Sequence, residues 1–132
     1  MSTSTWDRML ACVEAALARK ASDLVVLPMT EYSSVADYFI ICSARSDTQA
    51  QAIADAVEHR LRDDGVRPIS IEGREHGQWI LVDYGDVVLH VFFTPVRAFY
   101  DLGRLWAHVP RLELPEPYQS QVRAQKTGTE ND

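Results

Sequence analysis

The residues of this chain that could do chemistry are four histidines, two cysteines, a serine-rich turn and a pair of aspartates. His59, His76, His90 and His108 fall on a helix, a loop, a strand and a helix end, and no two stand at a metal-ligand spacing. Cys12 and Cys42 lie in apolar settings without a C-x-x-C pattern, so they add no ligand pair and read as reduced, buried thiols. No metal site and no cofactor is expected. Ser43 and Ser46 bracket the strand-to-helix turn Cys42-Ser-Ala-Arg-Ser-Asp47, a place where a nucleophile could stand exposed. The turn lacks the Gly-x-Ser-x-Gly elbow, and capping of the following helix accounts for Ser46. A phosphate at the same helix start would meet Asp47 and find no glycines to cradle it. Asp83 and Asp86 are the best carboxylate pair and could hold Mg²⁺ for nucleotidyl transfer. They also bracket a hairpin turn, where aspartate is common for local reasons. With no third acid at fixed spacing and no phosphate loop, catalysis is the lesser of the two readings, and no catalytic residue is assigned.

The aromatic residues say more. Along the strand around Trp79, alternation puts Trp79, Leu81 and Asp83 on one face and Ile80, Val82 and Tyr84 on the other. An acid sharing the tryptophan's face implies that this face is not wholly buried. An aromatic beside acids at a surface is the composition of a protein-binding hot spot. Core and interface both remain open for Trp79 and for Tyr84.

These residues need a scaffold. Trp6, Met9, Leu10, Val13, Ala16 and Leu17 recur at helical spacing, which predicts a helix from Ser4 to about Arg19. Asp23–Pro28 and Asp37–Cys42 read as strands, the second apolar on both faces. Ser46 and Gln49 form a capping pattern ahead of a helix through Leu61, with a stop at Asp64-Gly65. Arg67–Glu72 is a short strand, joined to Asp37–Cys42 by a crossover through that helix, right-handed if the two strands are parallel. Gln78–Asp83 and Asp86–Phe93 flank Tyr84-Gly85 as a tight antiparallel hairpin. Thr94-Pro95 opens a last helix that should run to about His108. The order α-β-β-α-β-β-β-α implies an α/β (α+β) fold, one mixed sheet of about five strands packed with helices. Residues 1–114 form a single domain, and the polar stretch 115–132 is expected to fray.

Composition limits what this fold could do. With 46% hydrophobic and 24% charged residues the 132-residue chain is globular, and no apolar run reaches the length that crosses a bilayer. Thirteen Lys and Arg against 19 Asp and Glu give a net charge of −6, with the arginines scattered along the sequence. Such a chain should avoid free nucleic acid and be drawn to a basic protein. A cytoplasmic location follows from the reduced cysteines and the absence of a leader or membrane segment.

Four segments, in order, carry a family likeness: Asp37-Tyr-Phe-Ile-Ile-Cys, Glu72-Gly73, Trp79-Ile-Leu-Val-Asp-Tyr-Gly-Asp-Val-Val-Leu-His-Val-Phe, and Arg97-Ala-Phe-Tyr-Asp-Leu-Gly-Arg-Leu-Trp106. Over about residues 5 to 108 the sequence resembles the ribosomal silencing factors, or Iojap-like proteins. The resemblance implies a fold distantly like the nucleotidyltransferases but without their catalytic motif. It implies a binding protein, not an enzyme. Its partner would be the large ribosomal subunit, reached through large-subunit ribosomal protein fourteen, with small-subunit joining blocked and translation lowered. Assistance in late large-subunit assembly and a homodimer are further implications. Carried over from the family motif, Trp79, Tyr84 and Tyr100 would be anchors, with Val82, Asp83 and Asp86 nearby. Where the family usually has an acid in the last helix, this chain has Gly103, at a cost of about 1 kcal/mol in helix propensity relative to alanine.

Overall fold

The computed structural model describes residues 4–126. Helix α1 (Thr5–Ala18) leads into strands β1 (Ser22–Pro28) and β2 (Tyr38–Ala44). Helix α2 (Asp47–Asp63) is followed by β3 (Ser70–Glu72), β4 (Trp79–Asp83) and β5 (Val87–Phe93). Three short helices close the chain: α3 (Thr94–Tyr100), α4 (Leu102–Leu105) and α5 (Tyr118–Ala124).

Both long helices start where a hydroxyl can satisfy an orphan N–H. Ser4 accepts from the Asp7 N–H at 3.0 Å and Ser46 from the Gln49 N–H at 3.0 Å. Gln49 reaches back past the cap, accepting from the Arg45 N–H at 2.6 Å and donating to the Arg19 and Lys20 carbonyls. It thereby ties the end of α1 to the start of α2. The apolar stripes of these helices, including Met9, Cys12, Val13, Ile53, Val57 and Leu61, are fully buried against one face of the sheet. Burial pushes both thiols, Cys12 and Cys42, up to about 12, so they stay protonated.

The sheet order is β1-β2-β5-β4-β3. Its β2–β5 pairing is parallel and the others are antiparallel, so it is the expected five-stranded mixed sheet. The pairings make β2 and β3 parallel, but β5 and β4 lie between them. The crossover through α2 therefore spans the width of two strands. Strand β5 runs through the middle with all but its last residue buried, which accounts for its unbroken apolar run around His90.

Three features differ from the sequence expectation. Tyr84 still belongs to the hairpin ladder, since its N–H donates to the Val87 carbonyl at 2.9 Å. The two-residue loop is thus Gly85-Asp86, one position later, with Gly85 at φ 89° in the first loop position, as a type II′ turn requires. The single helix expected from Thr94 to His108 is broken at Asp101, whose backbone is left-handed at φ 52° and ψ 52°, splitting it into α3 and α4. The low helix propensity of Gly103 beside this break favours a short second piece. Finally, the stretch after Pro115 does not simply fray. Tyr118–Ala124 forms α5, whose Val122 is buried against β1 and α1. One apolar residue per turn was enough to anchor it, a signal that polar composition conceals. The remainder of the tail, residues 127–132, lies outside the described residues.

Gly73 sets the entry to β4. It sits at φ 80°, and a Cβ added there would run into the backbone carbonyl of Trp79. Gly65 has a similar φ of 79° but open space around it. Gly73→Ala should therefore cost well over 2 kcal/mol, against about 1–2 kcal/mol for Gly65→Ala. Urea denaturation of the two variants checks the difference, and equal losses would show that the clash is relieved by backbone movement.

Candidate functional site

The second face of the sheet carries a smaller cluster: Leu27, Met29, Ile41, Phe92 and Val109, with Phe39, Trp79, Val96 and Trp106 partly buried against it. Among the described residues, α3, α4 and the segment through Val109 cover this face, and they leave its β4 side half open.

Trp79 is the centre of that opening. The pairing Trp79↔Phe92 places the two rings 4.9 Å apart at an interplanar angle of 26°, while Tyr100 from α3 comes within 4.8 Å of the indole. The indole N–H donates to Nδ1 of His90 at 3.2 Å. His90 is one of two polar side chains in the buried set, at 6% exposure, wedged beside Phe39 at 5.1 Å. Because Nδ1 accepts, the neutral ring carries its proton on Nε2. Burial lowers the His90 pKa to about 4, against a weaker opposing pull from Asp83. The ring therefore stays neutral at ordinary pH and holds the indole in one orientation.

Beside Trp79, a groove of about 360 Å³ runs between Gln78, Pro95, Val96, Phe99 and Tyr100. Phe99 is 82% exposed, Tyr100 51% and Leu105 62%, an apolar rim on the outside of α3 and α4. Sequence reasoning gave neither Phe99 nor Leu105 a role at the site. The two residues face outward on either side of the break at Asp101, and apart from the weak helix former Gly103 no local pattern in the sequence marked that break.

The residues expected to act together are distributed as follows. Trp79 and Tyr100 are in contact. Asp83 lies on the same face, about 13 Å further along β4, where its Oδ1 accepts the Gly85 N–H at 2.7 Å. Val82 and Tyr84 do not join them. Val82 is fully buried and Tyr84 is 6% exposed, both in the core beneath α1 and α2. Their inclusion among the surface residues is corrected by the alternation of β4, which continues through Tyr84 because the turn comes one residue later. Burial, with the nearby Cys12 and Glu58, pushes the Tyr84 phenol upward. Asp86 also faces elsewhere: its Oδ2 accepts from the Thr5 hydroxyl at 2.7 Å and from Arg8 at 3.1 Å. Its backbone carbonyl receives the Asp37 and Tyr38 N–H groups. Asp86 is a brace joining α1, the hairpin and β2. Asp83 and Asp86 thus spend their carboxylates on different partners and do not converge as a metal pair would.

A sequence family described as ribosomal silencing factor during starvation matches residues 2–132. The chain belongs to the ribosomal silencing factor family. Among its relatives, ribosomal silencing factor RsfS of Bacillus subtilis is 42% identical over 73% of this chain and 81% of its own. The protein of the same name from Halalkalibacterium halodurans is 39% identical over 84% and 95%. The chloroplastic protein Iojap of Zea mays is 33% identical over 85% of this chain and 49% of that one. Solved structures share the fold. A Bacillus halodurans crystal structure has a TM-score of 0.73 at 39% identity, covering 80% of this chain and 96% of that one. A Chromobacterium violaceum structure reaches 0.77 at 30% identity, covering 89% and 99%. The α/β reading with one five-stranded mixed sheet holds for this chain, and these solved structures share its fold.

Two outcomes follow from the placements. Tyr84→Ala should act on stability, costing about 3 kcal/mol or more by emptying a core position; an unchanged denaturation midpoint would put the ring back at the surface. His90 has a folded pKa below its unfolded value of about 6.5, so the unfolded chain binds more protons between roughly pH 6.5 and 4. Stability should fall as pH drops through that window, by about 3 kcal/mol from this group. His90→Gln, which keeps an acceptor for Trp79, should flatten that part of the profile, and a slope equal to wild type would show that His90 does not contribute.

Proposed function

We propose that this protein lowers translation by binding the large ribosomal subunit through large-subunit ribosomal protein fourteen and obstructing small-subunit docking. The reading is carried by one observation: an aromatic groove around Trp79, Tyr100 and Phe99 left open on a chain of net charge −6. The aromatic rings supply area that a partner can desolvate, and the charge steers the chain towards a basic protein. Asp83 lies on that face to meet a cation at the rim. The likeness to proteins named ribosomal silencing factors supports the ribosome as the setting.

Mechanically the action is steric. A chain of this length has a radius of gyration of about 14 Å, enough to hold apart two surfaces that must meet. No bond is made or broken, so the protein acts as a binding repressor, not an enzyme, in the cytoplasm. It also accompanies late large-subunit assembly, when the same surface must be kept from premature joining. The aromatic face further serves as the contact of a homodimer, so self-association and subunit binding compete for it.

Gradient sedimentation with isolated subunits is the direct test. The protein should travel with the large subunit and reduce the joined peak. Phe99→Ser with Tyr100→Ala, both exposed, should weaken binding by about 2 kcal/mol, roughly 30-fold, without loss of fold. Trp79→Ala should do at least as much. Unaltered binding by the folded double variant would remove this face from the contact, and a wild type that binds neither subunit would defeat the proposal. Light scattering on the same variants reads the dimer.

A further inference from the structure

We propose that a basic groove between β1 and α5 is a second contact, for RNA phosphates, engaged when the protein sits on the large subunit; the ribosomal setting rests on the function proposed above. The groove, of about 200 Å³, has an apolar floor of Leu24, Val26 and Val122 and a rim of Arg111, Arg123 and Lys126. The C-terminal segment builds it by lying along the sheet edge. Leu112 donates its N–H to the Val26 carbonyl at 2.8 Å, and the Asp23 N–H donates to the Gln125 carbonyl at 3.0 Å.

The three rim cations are exposed, and none has an ion-pair partner among the described residues. Arg8, Arg60 and Arg74 are paired, with Asp86, Asp64 and Asp55, whereas Arg19, Arg45, Arg62, Arg67 and Arg104 share with the rim the lack of an ion pair among the described residues. What marks the rim is that its cations meet around one groove. Behind the rim stands a fourth positive charge. Arg97 is partly buried and donates to the Asp23 carbonyl at 2.7 Å and to Ser43 Oγ at 2.9 Å. Burial and the neighbouring Arg111 push its pKa down, and Asp23 opposes this. Of the acids in the C-terminal segment, Glu116 feels Arg123 but has its carboxylate engaged by the Ser120 N–H, and Glu113 stands exposed between the lining residues Leu112 and Leu114. A cluster of cations has thus been assembled on a chain that is acidic overall. Arg111, Arg123 and Lys126 all belong to the C-terminal stretch, and the sequence gave no sign that this stretch packs along β1 and gathers them at one groove.

Such a rim would repel a basic ribosomal protein, so it calls for a different partner from the aromatic face. Arginine forks over a shallow groove suit phosphate oxygens, which repeat along RNA. Helix α3 joins the two surfaces. Its Arg97 turns towards Asp23 and Ser43, while its Val96, Phe99 and Tyr100 line the aromatic groove. A partner assembly offering protein beside RNA could touch both at once. Three phosphate contacts on a net-negative chain bind weakly in isolation. Tethered by the first contact, they act at high effective concentration and strengthen the whole.

Two measurements test this. Large-subunit affinity is compared for wild type and the triple variant Arg111→Gln, Arg123→Gln, Lys126→Gln at about 50 and 200 mM salt. The variant should bind about 10-fold or more weakly at the lower salt, with a salt slope smaller by about 2 to 3, yet bind isolated ribosomal protein fourteen as wild type does. Equal affinity and slope would overturn the proposal while leaving the function above standing. Separately, the labelled full chain is titrated with a short RNA hairpin at low salt and followed by NMR. Shifts gathered at α5 and β1 that disappear in the triple variant support the RNA contact, even if the wild type fails to sediment with large subunits, which would sink only the function above. No shifts there, or shifts as large with poly-glutamate, would overturn it.

Discussion

A five-stranded sheet has two apolar faces, and this chain has helix enough to cover only one of them completely. Helices α1 and α2 seal the first with a continuous set of aliphatic side chains. On the second, the short α3 and α4 and the segment through Val109 cover β1, β2 and part of β5. The β4 side stays half open, and the sheet's own strand order decides which residues are found there. Because β4 pairs with β5 in the register Trp79↔Phe92, the tryptophan stands at the border between covered and open surface. Its ring is supported from below by Phe92, from the side by Tyr100, and at its N–H by His90. The aromatic face is what remains when the packing of the core is finished, held rigid by the core it adjoins.

Much of this was legible in the sequence. The capped second helix, the two-sided apolar strand Tyr38–Ala44 and the hairpin strands all follow from periodicity and turn chemistry. The alternation of β4 correctly put Trp79, Leu81 and Asp83 on one face and Val82 and Tyr84 on the other. What was not legible was which face lay under helices, since alternation assigns sides without saying what covers them. Family likeness then grouped Val82, Tyr84 and Asp86 with Trp79 because they are neighbours in sequence. The fold separates them, two into the core and one to the brace at Arg8. The broken helix at Asp101 and the packed α5 depend on tertiary contacts that no short window contains.

The division of charge follows the same logic. Several hairpin and helix acids are engaged locally, Asp83 by the Gly85 N–H, Asp86 by Arg8, Asp55 by Arg74 and Asp64 by Arg60, and no charged side chain lines the aromatic groove. The described C-terminal segment folds back along β1, the exposed edge of the sheet, and so protects an edge that would otherwise invite another strand. In doing so it brings its own cations to the outside.

Burial of the two cysteines has a consequence of another kind. Thiol oxidation and electrophile attack proceed through the exposed thiolate. Cys12 and Cys42 are the only cysteines in the sequence, both sealed in the core with pKa values near 12. Peroxide and electrophiles therefore find no accessible thiol on the folded molecule. Chemistry at either sulfur would first require the core around α1 and β2 to open.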